Sequence, residues 1–172
     1  MTEPHEGWKK NANVTYEQLF KPWWAYPHPG LFALLMRLDK ELGREKTLQL
    51  IKETTEQLAK GDANTRRVQS EDPETVIQTL VKWTNMDSDA VKHLLEFEIY
   101  PSSRREYHID VTKCLYAKTA HEMGVPKELA YQWICYNDYV IAGILHPKIR
   151  LNRPKCLMLG DEKCEFHYTF ED

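Results

Sequence analysis

The apolar residues of this chain change their period near residue 93, and that change limits it to a mixed fold. Before it the spacing is helical. "LFALLMRLDKEL" sets Leu31, Leu34, Leu35 and Leu38 three and four apart, ending at Gly43. "REKTLQLIKETTEQLAK" comes next with Leu48, Ile51 and Leu58 on one stripe and Gly61 as a stop, and residues 61–72 read as a polar loop. Asp72-Pro73 then supplies a cap and a first-turn proline for a third helix, "ETVIQTLVKWT". After residue 93 the apolar residues alternate. Leu95, Phe97 and Ile99 oppose Glu96 and Glu98, and Tyr107, Ile109 and Val111 oppose His108 and Asp110, with the turn "PSSR" between the two runs. A helix "KCLYAKTAHEMG" and another opened by Pro126 interrupt the strands, and two or three strands close the chain, with Gly160-Asp161 marking a turn. The pattern predicts an α+β fold: N-terminal helices, then an antiparallel sheet interrupted by a helical pair.

The length of 172 residues suits one domain, with an irregular aromatic and proline-rich arm over residues 1–30, a helical part over 31–86 and an α+β part over 93–170. With 42% hydrophobic and 28% charged residues the chain has the means to bury a core. A net charge of -3, with both signs mixed along the chain, offers no basic field for nucleic acid. No apolar run approaches a membrane span, and the polar start is unlike a signal peptide. The expectation is a soluble cytoplasmic protein whose partner is a small molecule, without nucleic acid or membrane, and open to self-association into a homo-oligomer.

All four cysteines, Cys114, Cys135, Cys156 and Cys164, fall in the last third. In a reducing compartment they are expected as free thiols. Thr112 is positioned to cap the next helix, which would put Cys114 in its first turn, where amide N–H groups and Lys113 favour a thiolate. In the helix after Pro126, Tyr131, Cys135, Asp138 and Ala142 share a face, opposite Leu129, Trp133, Tyr136 and Val140. An aspartate on a buried face must be paired or act as an acid or base. The last strand directs Cys164 with Phe166, Tyr168 and Phe170, while Glu165 and His167 point away. His108 falls on the polar face of its strand, and His146 precedes Pro147 at a turn, where capping is its ordinary role. Four convergent thiolates would suit a structural zinc, although no Cys-x-x-Cys pair is present. No phosphate loop, zinc-protease motif or serine-hydrolase elbow occurs.

The series "CLYAKTAHEMGV", "ICYNDYVIAGILHPKI", "RLNRPKCLMLGD" and "CEFHY" resembles the L-2-amino-thiazoline-4-carboxylic acid hydrolase family over roughly residues 105–168. "ELGREKTLQLIKETTEQLAKG" is similar to that family's N-terminal helical region. The resemblance implies an enzyme that opens a small cyclic amidine, with the family positions falling on Cys114, Cys135, Asp138, Arg153, Gly160, Asp161 and Cys164. It implies Cys114, Asp138, Cys135 and Cys164 as the catalytic set, with Arg153 or Arg150 holding a substrate carboxylate. Tyr131, His108 and Asp161 complete the substrate-binding candidates, and no cofactor is implied. Position 156 is cysteine where a threonine-like residue is expected. The cysteine-bearing sheet is more distantly similar to 4-vinyl-reductase-type small-molecule-binding domains, which hold a structural zinc. That second likeness carries the alternative of a non-enzymatic binding or sensor module.

Overall fold

The computed structural model describes residues 27–84, 86 and 89–172. The Trp23-Trp24 segment lies outside them. Helix α1 spans Pro27–Leu42 and α2 Arg44–Arg66, succeeded by α3 over Pro73–Thr84 and α4 over Asp89–Leu94. Strands β1 (Leu95–Ile99) and β2 (Glu106–Cys114) come next, then helices α5 (Leu115–Glu122) and α6 (Lys127–Ala130). A π-helical turn, Tyr131–Cys135, joins α6 to α7 (Asn137–Leu145). Strand β3 (Ile149–Asn152), a 3-10 turn (Leu157–Leu159) and β4 (Cys164–Phe170) end the fold. The four strands form one antiparallel sheet in the order β1-β2-β4-β3, so the architecture is α+β.

Asp72 caps α3 as its sequence predicts: its Oδ2 accepts the Thr75 N–H at 3.0 Å and its backbone O accepts the Val76 N–H. Val76, Ile77 and Leu80 of that helix are fully buried, each contributing about 1.5–3 kcal/mol against exposure. Two helical details differ from expectation. Helix α2 runs through Gly61 to Arg66, because Gly61 keeps a helical backbone and only Gly43, Gly124 and Gly160 adopt positive φ among the described residues. Its inward stripe is Thr47, Ile51 and Thr55, whereas Leu58 is 66% exposed. Ile51 and the half-buried Leu48 of the expected stripe do pack against the core; Leu58 does not, and two threonines, Thr47 and Thr55, complete the inward face.

Strand β2 carries the register. Tyr107 faces Tyr168, Ile109 faces Phe166 and Val111 faces Cys164, all on the side covered by helices. The opposite side is polar: His108 stacks on His167 at 4.6 Å, and Asp110 accepts from Lys163 at 2.7 Å and from Tyr100 at 3.2 Å. β2 also runs further than expected, through Thr112 to Cys114, and Thr112 Oγ1 donates to the Glu96 carbonyl rather than capping a helix. Among the described residues no helix is long and apolar enough to cross a membrane.

Candidate functional site

The centre of the site is set by a local irregularity in the helix after Pro126. At Tyr131–Cys135 the backbone widens: the Tyr136 N–H donates to the Tyr131 carbonyl, five residues back, at 3.0 Å. Single π turns of this kind recur at functional sites, because the extra residue rotates the next helical turn about the axis. Here Cys135 closes the wide turn and Asp138 stands in the first turn of α7.

Arg153, just beyond β3, meets both. Its Nη2 donates to Asp138 Oδ2 at 2.6 Å and to the Cys135 carbonyl at 3.2 Å. The guanidinium lies over the Phe166 ring at 4.3 Å and the Tyr139 ring at 5.1 Å. Its side chain is 1% exposed, against 36% for Asp138. Burial works against both charges. For Arg153 burial is the largest single influence, but Asp138 together with Cys135, Cys156 and Tyr139 outweighs it and the cation is held. For Asp138 burial wins over Arg153, and the carboxyl is pushed above its ordinary value. The Asp138 surface that remains accessible lines a cavity, and its Oδ1 takes no hydrogen bond among the described residues.

That cavity measures about 470 Å³. Sheet residues Ile109, Val111, Phe166 and Tyr168 form its floor, with Cys164 beside them. Trp83, Met86, Val91 and Leu94 add to its apolar lining, which Ile134, Cys135, Asp138 and Arg153 share. Cys114 lines this inner cavity and also an outer one of about 560 Å³, lined by Glu96, Lys113, Lys118, His121 and Asp161 among others.

The thiols differ in state. Cys114 occupies the cap position of α5 with an extended backbone, not its first turn. Burial raises its pKa, and the Ala117 and Tyr116 amides only partly pull it down; Lys113, expected to help, is bound to Glu96 at 2.7 Å. Cys156 is the hub of the other three. The neighbouring Cys135 thiol and the Cys164 thiol, which donates to it, draw it toward thiolate, with Arg153 and the Met158 amide adding to the pull. Proximity to Cys156, together with burial, holds Cys135 and Cys164 as thiols. Cys164 Sγ donates to Cys156 Sγ at 4.0 Å and accepts the Leu157 N–H at 3.2 Å. The turn between them is fixed by Asp161, whose Oδ2 accepts the Cys156 N–H at 2.7 Å, and by Gly160 at φ 105°.

Of the candidates from sequence, Cys114, Cys135, Asp138, Arg153 and Cys164 line the inner cavity. Asp161 lines the outer one and supports Cys156. Tyr131 sits beside Tyr139 and Arg153, where burial raises its pKa, and it is not part of the cavity wall. His108 lies on the polar side of the sheet. Arg150 is turned outward, donating to the Pro147 carbonyl at 2.6 Å and pairing with Glu171 at 3.0 Å. His146 is buried in its turn, accepting the Lys148 N–H at Nδ1. Sequence reasoning left Cys156 out of the site; its signal was the short spacing to Cys164 across the Gly-Asp turn. Among the described residues no group of three or more His, Cys, Asp or Glu side chains is arranged to hold a metal ion.

Fold and cavity together define a class: an α+β domain enclosing a ligand-sized space walled by aromatics, thiols and one buried ion pair. The chain matches the family model of L-2-amino-thiazoline-4-carboxylic acid hydrolase over residues 25–168, and it belongs to that family. No curated protein matches it. Among solved structures it is similar to the phenol-responsive sensory domain of the transcription activator PoxR with phenol, at 16% identity and a TM-score of 0.44, over 82% of this chain and 73% of that one.

Proposed function

We propose that this chain is a hydrolase that opens a small cyclic amidine or a related C–N/C–S ring, with Asp138 as the general base. The observation that carries the reading is the Asp138 carboxylate: it is bound on one oxygen by a buried arginine and lines a largely apolar cavity that three of the cysteines also line. A carboxyl raised by burial is a better base toward water than an exposed aspartate. Family membership supports the reaction class.

In the reaction Asp138 takes a proton from water as the water oxygen bonds to the amidine carbon. The tetrahedral intermediate then expels the ring sulfur or nitrogen, breaking its bond to that carbon, and the departing atom takes a proton. Cys114 suits the donor role, since burial favours its protonated form and it lines the same cavity as Asp138. For a 2-aminothiazoline the net change is addition of one water, giving a urea and a free thiol. Arg153 holds Asp138 in place and is a positioning residue. Asp138→Asn keeps the shape and removes the base, so ring opening of 2-amino-2-thiazoline, monitored by mass spectrometry, should fall about a hundred- to ten-thousand-fold. Undiminished turnover in a folded Asp138→Asn protein refutes the proposal.

A further inference from the structure

Ring opening leaves two sulfurs of the site unused. Cys164 lines the inner cavity, and its Sγ donates to Cys156 Sγ at 4.0 Å. Cys156 is buried and is not part of the cavity wall. The two residues flank a turn held by Asp161, which accepts the Cys156 N–H, and by the Leu157 N–H, which donates to Cys164. A thiol that donates to a thiolate shares one proton between two sulfurs. Passing that proton to Cys156 leaves the thiolate, the nucleophilic form, on the sulfur that the cavity reaches. The Arg153 charge favours the thiolate form of both sulfurs.

Two features of the cavity indicate what such a pair meets. With about 470 Å³ and a lining that includes Trp83, Met86, Leu94, Val111 and Phe166, it has room for an aryl or branched alkyl group and takes it out of water. Arg153, which lines the same cavity, bonds only through Nη2; Nε and Nη1 have no hydrogen-bond partner among the described residues. The cation therefore has N–H groups left for an oxygen on which negative charge develops. An organic hydroperoxide joins the two requirements: an apolar group, and an O–O bond that releases an alkoxide when a thiolate attacks it.

We propose that this chain also reduces apolar organic hydroperoxides, with Cys164 as the attacking thiol and Cys156 as the thiol that resolves it. The Cys164 sulfur bonds to the terminal peroxide oxygen and the O–O bond breaks. The departing alkoxide, stabilised by Arg153, takes the shared proton from Cys156. Cys164 is then a sulfenic acid, and the Cys156 thiolate attacks its sulfur. The hydroxide displaced takes a proton from solvent. The sum is one alcohol, one water and a Cys156–Cys164 disulfide, the two sulfurs giving up the electron pair that reduces the O–O bond. A small dithiol returns the disulfide to thiols and closes the cycle. The reaction is independent of the ring-opening reading.

The test mixes the full chain, reduced and freed of reductant, with cumene hydroperoxide and separately with hydrogen peroxide. Chromatography follows the alcohol and peptide mapping the disulfide. Cumene hydroperoxide should give one alcohol per chain and the Cys156–Cys164 disulfide. It should react at least about tenfold faster than hydrogen peroxide, because only the organic peroxide gains from the apolar lining. Dithiothreitol added back should make alcohol formation catalytic. Cys164→Ser should lose both the alcohol and the disulfide; the comparison of the two peroxides on the unaltered chain decides the matter even where that variant does not fold. Cumene hydroperoxide reacting no faster than hydrogen peroxide overturns the proposal. So does a disulfide that joins Cys156 to Cys135, or alcohol released at an undiminished rate by Cys164→Ser.

Discussion

The sulfur of Cys164 lies 4.0 Å from that of Cys156, across a turn in which the Leu157 N–H donates to Cys164 and Asp161 accepts the N–H of Cys156. The contact sorts the thiols: the central Cys156 is drawn toward thiolate, and its neighbours Cys135 and Cys164 stay protonated. A thiolate in contact with a thiol is also the arrangement that oxidises most readily to a disulfide.

Mild diamide treatment should therefore produce one intramolecular disulfide that includes Cys156, with diamide reduced to the hydrazine. Peptide mapping checks it. Cys156→Ser should abolish the product and Cys114→Ser should leave it in place; a disulfide formed through Cys114 would contradict the arrangement.

Arg153→Met takes the cation from a buried pair and leaves the Asp138 charge without its partner. Removing one member of such a pair costs about 3 kcal/mol, and the partial exposure of Asp138 puts this case at the low end. The cost also depends on pH. Asp138 has a folded pKa raised above 3.8, so the folded state binds more protons than the unfolded chain and stability declines as pH rises from 3.8 through the folded value. Loss of Arg153 deepens that decline. Urea unfolding should show Arg153→Met losing more stability near neutral pH than at about pH 4. Adding Asp138→Asn should recover part of the loss.

Periodicity made the sheet legible. The alternation in "EYHIDVT" and "CEFHYTF" gave the faces of β2 and β4 correctly, because a half-buried strand must alternate. It could not place Cys114, since Thr112 and Lys113 continue a strand as readily as they open a helix, and only pairing with β1 decides between the two. The aspartate three residues after Cys135 was legible as chemistry. Its partner Arg153 came only through family resemblance, because fifteen residues of helix, turn and strand separate the two. Cys156 escaped for a similar reason. Its state depends on two other cysteines and an arginine brought together by the fold, not on its immediate neighbours.

Gly160 and Asp161 hold the turn that carries Cys156, so changing either should reach the thiols. Gly160→Ala places a side chain at φ 105° and its Cβ against Lys127 Nζ. The backbone cost is about 1–2 kcal/mol; Lys127 is a flexible chain and can yield. Asp161→Ala leaves the Cys156 N–H without its acceptor, for a further loss of about 1–2 kcal/mol. Denaturant melts give the size of both effects. Faster modification of Cys156 by a maleimide should accompany them.

Asp72 supplies a check of a different kind, far from the thiols. Its bonds with Thr75 and Arg104 lower its pKa from 3.8 to about 2. A depressed carboxylate contributes stability that is fully present above 3.8 and disappears as pH falls through about 2. Asp72→Ala should therefore lower the unfolding midpoint at neutral pH, and the difference from the unaltered chain should narrow steadily through that acid range.

The proposed base has its own pH signature. Asp138 must be ionised to accept a proton from water, and burial has raised its pKa from 3.8. The acid limb of kcat/KM should accordingly fall at a pH above that of an ordinary aspartate, and the limb should belong to Asp138 alone. Arg153→Lys keeps a positive charge but has neither the planar fork nor the stacking on Phe166, so it should hold the carboxylate less well and move the limb higher still. In Cys114→Ala the acid limb should stay where it is while the rate drops, because that residue serves the departing atom rather than the attacking water. Profiles of ring opening from about pH 4 to 8 separate these cases. An acid limb that does not respond to Arg153→Lys would assign the base to another group.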